Sequence, residues 1–148
     1  MESSSSNDPV IVLKPQNRIL KKTPEELCSI ILGKLKKNVE EKFGEEVNKV
    51  VITVPAYFNV TQREATLAAA KIAGFSVLKL LNEPTAAALI YYHENKCTET
   101  NYSLVYDLGG GTFDVAILKK SGHNIETISV NGDTNLGGQD FDNLLVDY

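Results

Sequence analysis

Long apolar runs are missing. No stretch reaches the roughly 18 residues that span a bilayer, so no membrane-spanning helix is expected. Positive charge is also scarce: 15 lysines and arginines against 19 aspartates and glutamates leave a net charge of −4. Nucleic-acid binders carry the opposite balance, so that class is set aside. There are only two cysteines, Cys28 and Cys97; they lie far apart and match no metal-ligand spacing. Both read as reduced thiols, which fits the cytoplasm. The two histidines, His93 and His123, fall in expected loops without an acid or cysteine partner, so they read as surface residues. Serines crowd only the first residues, and no nucleophile elbow surrounds any of them. The start, Met1-Glu-Ser-Ser-Ser-Ser, has no apolar core of the kind a secretory signal needs. No internal repeat is visible.

What remains is ordinary globular material. The chain has 148 residues, 43% hydrophobic and 23% charged, enough for one domain or part of a larger one. Residues 1–8 are Ser-rich and expected to be disordered. Val10 to Leu13 reads as a short strand before a turn at Pro15 to Asn17. The first clear helix begins with Thr23 as N-cap, Pro24 in the first turn and Glu26 closing a capping box. Leu27, Ile31, Leu35, Val39 and Phe43 recur every four residues as one apolar ridge, and Gly44 suits the left-handed C-terminal position.

Val50 to Val54 shows little alternation and is expected to be a strand buried on both faces. A helix follows from Thr61 to Ala73, with Thr61 and Glu64 as a possible capping box and Ala65, Ala68, Ala69 and Ile72 as a narrow packing face. Ser76 to Leu81 is a strand, Pro84 to Tyr92 a helix, Tyr102 to Tyr106 and Phe113 to Leu118 strands. Ser121 to Asn124 turns the chain into a strand over 125–130, and a last helix starts near Gln139. Mixed strands and flanking helices define an α/β class. Residues 1–22 form a separate N-terminal segment and 23–148 an incomplete domain, because the final helix has no cap and the sheet opens with little before it.

The sharpest chemical signal is Asp107-Leu-Gly-Gly-Gly-Thr-Phe-Asp114. Consecutive glycines between two strands present backbone N–H groups as an anion nest that no side chain blocks. Thr112 adds a hydroxyl. Asp107 and Asp114 flank the turn, and two carboxylates beside a phosphate call for a cation; magnesium accepts oxygen ligands and keeps waters. The segment is not a Walker loop, which ends in Gly-Lys-Ser/Thr. In Asn82-Glu-Pro-Thr-Ala-Ala-Ala88, Glu83 falls at a strand-to-helix junction, where α/β sheets place functional groups; a simple helix-dipole role is the competing reading. Gly137 and Gly138 precede the last helix, whose N-terminal donors could hold a phosphate, against a plain turn capped by Asp140.

These segments, with Val51-Ile-Thr-Val-Pro-Ala-Tyr-Phe-Asn59 and Leu136-Gly-Gly-Gln-Asp-Phe-Asp142, resemble the seventy-kilodalton heat-shock chaperones in order and spacing, from about Thr23 to Tyr148. The resemblance implies an actin-like ATPase, ribonuclease H-like fold. It implies ATP or ADP bound with Mg2+ and K+, contacted by Gly109, Gly110, Gly111, Thr112 and Gly138. Asp107 and Asp114 would hold the metal ions, and Glu83 would sit near the attacking water, so that Glu83, Asp107, Thr112 and Asp114 form the catalytic set. Pro55 and Arg63 would relay nucleotide state toward a peptide-binding domain.

The family's first phosphate loop, its catalytic lysine and its adenosine clamp are not found in these 148 residues. Residues 1–22 match poorly, and Gln139 stands where the family commonly has glutamate. The expected function is the centre of a chaperone ATPase domain that drives binding and release of unfolded polypeptides with co-chaperones. The alternative is a non-catalytic truncated paralogue serving as a binding or regulatory module. On either reading the chain alone is expected not to turn over ATP.

Overall fold

The computed structural model describes residues 2–3, 9–13, 19–95 and 99–148. The expected turn at Pro15 to Asn17 and Cys97 lie outside these residues. The chain divides into two compact units, residues 1–52 with 60–79, and residues 53–59 with 80–148.

In the first unit, β1 (Glu2–Ser3), β2 (Pro9–Leu13) and β3 (Leu20–Lys22) pair antiparallel in that order. The other residues of the 1–8 segment lie outside those described. Helix α1 (Pro24–Phe43) starts as its sequence requires. Thr23 Oγ1 accepts the Glu26 N–H, and the Glu26 carboxylate accepts the Thr23 N–H at 3.1 Å. Such a cap is worth about 1 kcal/mol. Gly44 ends the helix at φ 70°. Lys36 fastens this end, donating to Glu40 and to the carbonyl of Val47.

Helix α2 (Val60–Ile72) begins one residue earlier than expected, so Thr61 stands inside its first turn and not before it. Its packing face also differs. Ala69 and Ala70 are buried, while Ala68 and Ile72 are exposed, in a helix that packs with α1. The apolar ridge of α1 remains open to solvent, with Ile31 and Phe43 both more than 60% exposed.

Strand β4 (Lys49–Val54) neighbours β5 (Ser76–Asn82) in a two-stranded sheet. The expected burial on both faces is not found: β4 alternates, and Val51 is 51% exposed while Val54 is buried. An apolar composition gives a strand the capacity for two-sided burial, but a ribbon of two strands supplies too little neighbouring surface to use it.

The second unit is built around an antiparallel meander, β6 (Asn101–Leu108), β7 (Phe113–Ser121) and β8 (Asn124–Asp133). Gly122, at φ 60°, makes the tight β7–β8 turn. Alternate residues of β7 point to one face, where Asp114, Ala116, Leu118 and Lys120 are buried. Helix α3 (Glu83–Glu94) covers that face with Ala88 and Tyr92. Fully burying a leucine such as Leu118 contributes about 1.5–3 kcal/mol. Hydrogen bonds then fix the helix: Tyr92 to Ser103 at 2.6 Å and Thr85 to Thr127 at 3.3 Å. His93 lies in the last turn of α3, not in a loop; helix α3 runs two residues beyond Tyr92. A positive group there would suit the helix dipole. The opposite face of β6 leaves Tyr102, Leu104 and Tyr106 exposed. Helix α4 (Gly138–Asp147) follows β8.

Candidate functional site

The packing of α3 decides where the acidic residues meet. Glu83 is the first residue of α3, half-buried. The β6–β7 register places Asp107 directly opposite Asp114. The β7–β8 register places Gly132 on the far side of Asp114. Asp107, Asp114 and Gly132 therefore form one row across the meander, on the face that α3 covers. A side chain at position 132 would run into the Phe113 carbonyl, so the close approach of the backbones beside Asp114 requires glycine there.

This cluster is electrostatically costly. Asp114 is only 5% exposed. Burial, then the charge of Asp107, pushes the Asp114 carboxyl above its ordinary value. Burial also raises Glu83, with Asp107 and then Asp114 adding to the effect. The ion pairs Lys22–Glu26, Lys36–Glu40 and Lys37–Glu41 involve none of these three acids. Like charges directly opposite on neighbouring strands destabilise a sheet. A cation placed among them would relieve that repulsion.

Between the two aspartates lies the turn Gly109 to Thr112, closed by the Gly109 N–H donating to the Thr112 carbonyl at 2.9 Å. None of its glycines has positive φ. An added Cβ at Gly110 or Gly111 would meet no atom within 4 Å. Neither backbone conformation nor internal packing therefore demands glycine at these positions. Among the described residues no acceptor takes the N–H groups of Gly110, Gly111 or Thr112. The outer side of the turn is open backbone with available donors, the arrangement that receives an anion.

The residues fit a hydrated, oxygen-seeking cation better than a metal held wholly by side chains. Among the described residues no group of three or more His, Cys, Asp or Glu converges as a metal cage. Carboxylates acting through water, as around magnesium, suit such a set.

The N-terminus of α4 is not an open anion site. Its Gly138 N–H donates to the Gly109 carbonyl and its Gln139 N–H to the Gly110 carbonyl, both at 2.9 Å. The donors expected from this helix end are thus committed to the glycine turn. The involvement of Gly137, Asp140 and Gly132 was not legible in the sequence: their glycine or turn character is visible there, but not what lies against them. Pro55 belongs to the second unit, just after β4, and Arg63 to the first, on α2.

An open glycine turn lies between two opposed acids on a mixed α/β frame. Comparison with known proteins gives the family. The Hsp70 protein family model matches residues 1–148. A curated relative, chaperone protein dnaK of Phaeodactylum tricornutum (strain CCAP 1055/1), is 54% identical over 126 residues. That alignment covers 85% of this chain and 20% of the relative, so the chain spans about a fifth of the relative's length. The chain belongs to the Hsp70 family. Among the described residues no helix is long and apolar enough to cross a membrane.

Proposed function

We propose that the Gly109–Thr112 turn binds the phosphates of ATP or ADP, within the actin-like, ribonuclease H-type ATPase domain of a cytoplasmic Hsp70 chaperone. The observation that carries this reading is the pair Gly110 and Gly111, glycines that the fold itself does not require and whose outer side is open. Gly110, Gly111 and Thr112 donate hydrogen bonds to phosphate oxygens. Asp107 and Asp114 are the residues that would hold Mg2+ and K+, which would supply charge neutralisation at the phosphates. Glu83, its carboxyl raised by burial, orients the attacking water. Gly138, expected as a further nucleotide contact, gives its N–H to the Gly109 carbonyl and so supports the turn from the α4 side. In the longer protein, ATP hydrolysis drives binding and release of unfolded polypeptides together with co-chaperones. Pro55 and Arg63 pass the nucleotide state onward. Arg63→Ala in that protein should spare nucleotide affinity and slow nucleotide-triggered peptide release; equal loss of both refutes the relay.

One observation favours a second reading for the 148 residues themselves, a nucleotide-binding module without turnover. Glu83, Asp107 and Asp114 bring three acids to the site, and no lysine or arginine of the described residues pairs with them. Phosphoryl transfer depends on positive charge at the transferring group, and one lost electrostatic group commonly costs about a hundredfold to a thousandfold in rate. Phosphate release by the purified chain, with magnesium and potassium present, is expected at background. Turnover that vanishes in Asp107→Ala would show a complete ATPase.

A further inference from the structure

The glycine turn is held from outside by the start of α4, and the Asp140 side chain braces that helix start. The Asp140 carboxylate accepts the Gly137 N–H at 2.8 Å. The Asp140 N–H in turn donates to the Gly137 carbonyl at 3.0 Å. Gly137 is thereby fixed in an extended conformation, φ −165°, at the point where the chain enters the helix. From there the Gly138 and Gln139 amides reach the Gly109 and Gly110 carbonyls. Gly137 is buried, and a Cβ on it would stand 2.5 Å from the Gly110 carbonyl oxygen. Its conformation is open to any residue; only the approach to the turn requires glycine.

The consequence concerns the opposite side of the same peptides. A carbonyl bonded to α4 fixes its peptide plane, and with it the direction of the N–H on the next residue. Holding the Gly109 and Gly110 carbonyls therefore aims the Gly110 and Gly111 N–H groups away from α4. These are the donors left without an acceptor.

We propose that Asp140 is a positioning residue for the phosphate-binding turn: through Gly137 it seats the α4 amides on the Gly109 and Gly110 carbonyls and so orients the Gly110 and Gly111 donors. This rests on the reading of that turn as the phosphate site. Sequence alone gives Asp140 the plainer role of a helix cap, which would stabilise α4 and leave the turn untouched.

Residue-resolved amide hydrogen exchange on the whole chain without nucleotide separates the two roles, and a titration with Mg-ADP adds the functional readout. Asp140→Ala is expected to speed exchange at Gly138, Gln139 and Gly109 by about tenfold or more, the loss of one hydrogen bond's worth of protection. Leu118, under α3, should be unchanged. Asp140→Asn keeps an acceptor oxygen and is expected to restore protection. Gly137→Ala, which forces the contact apart without touching the carboxylate, should reproduce the Asp140→Ala pattern. Affinity for Mg-ADP should fall with exchange protection across the series. Unprotected Gly138 and Gln139 amides in the unsubstituted chain, or Gly109 exchange unchanged in Asp140→Ala, overturn the proposal. So does Mg-ADP affinity that stays constant while the protection is lost. Intact protection with no Mg-ADP binding by the unsubstituted chain refutes the nucleotide reading, and with it the functional part of the proposal, while leaving the latch itself measured.

Discussion

Gly110→Ala is expected to leave stability within about 1 kcal/mol of the unsubstituted chain, or slightly above it, and to weaken Mg-ADP binding at least about tenfold. Both halves follow from one geometry. Gly110 does not use positive φ, and the added methyl meets no protein atom within 4 Å. Alanine therefore costs the fold nothing in contacts and reduces the freedom of the unfolded chain. The same methyl projects into the open side of the turn, where a phosphate would lie against the backbone. Gly137→Ala should behave in the opposite sense, losing stability, because its methyl strikes the Gly110 carbonyl. Chemical denaturation and nucleotide titration on both variants check this. Nucleotide affinity preserved in Gly110→Ala would remove the reason for glycine there.

Asp114→Asn is expected to make the protein more stable at pH 7 and less able to use magnesium. Asp114 lies opposite Asp107 and is buried, with its carboxyl raised. A charge-neutral asparagine removes the cross-strand repulsion, a gain of about 0.2–1 kcal/mol. The pH dependence has a definite sign. Above the unfolded values of 3.8 for aspartate and 4.5 for glutamate, and up to the raised folded values, native Asp114 and Glu83 hold protons that the unfolded chain has released. Stability therefore falls as pH rises through that window, and is regained as pH drops back through it.

Glu26 and Glu40 act in the other direction, and lower down. The Thr23 backbone N–H holds the first carboxyl below its ordinary value, and the Lys36 ammonium holds the second. Their contribution is present above 4.5 and is lost as pH falls through the lowered values. Melting midpoints should thus decline as pH rises from the ordinary carboxylate values through the raised ones of Asp114 and Glu83 in the unsubstituted chain, and decline less in Asp114→Asn. The variant should also lose magnesium enhancement of ADP affinity by about tenfold or more. A less stable Asp114→Asn protein, or one with intact magnesium enhancement, would mean that the two carboxylates are not a strained cation site.

The parts of this architecture that read correctly from sequence are those determined locally. The Thr23–Glu26 box, Gly44 at the end of α1 and Gly122 in the β7–β8 turn each depend on a few neighbouring residues, and each appears as expected. The seven-residue spacing of Asp107 and Asp114 across a glycine turn put them near each other, and the register makes them direct partners. What failed depended on distant neighbours. Val50 to Val54 has the composition of a strand buried on both sides, but exposure is set by what covers it. The small residues of α2 allow several packing faces, and the one used centres on Ala69 and Ala70. Gly137 and Gly138 had the signature of a helix start ready for an anion. Nothing in their spacing revealed that the Gly109 and Gly110 carbonyls already receive the helix amides.

The most direct test of the central claim is a residue-resolved amide NMR titration of the chain with Mg-ADP into the millimolar range, with AMP as the comparison. Phosphate recognition by open backbone predicts saturating shifts at Gly110, Gly111 and Thr112, much weaker with AMP, and little change at Gly122 in the β7–β8 turn. Binding should be about millimolar or weaker, above roughly −4 kcal/mol, given three acids and, among the described residues, no side-chain cation paired with them. Equal responses to ADP and AMP, or saturating shifts elsewhere with none at Gly110 to Thr112, would contradict the assignment of this turn as the phosphate site.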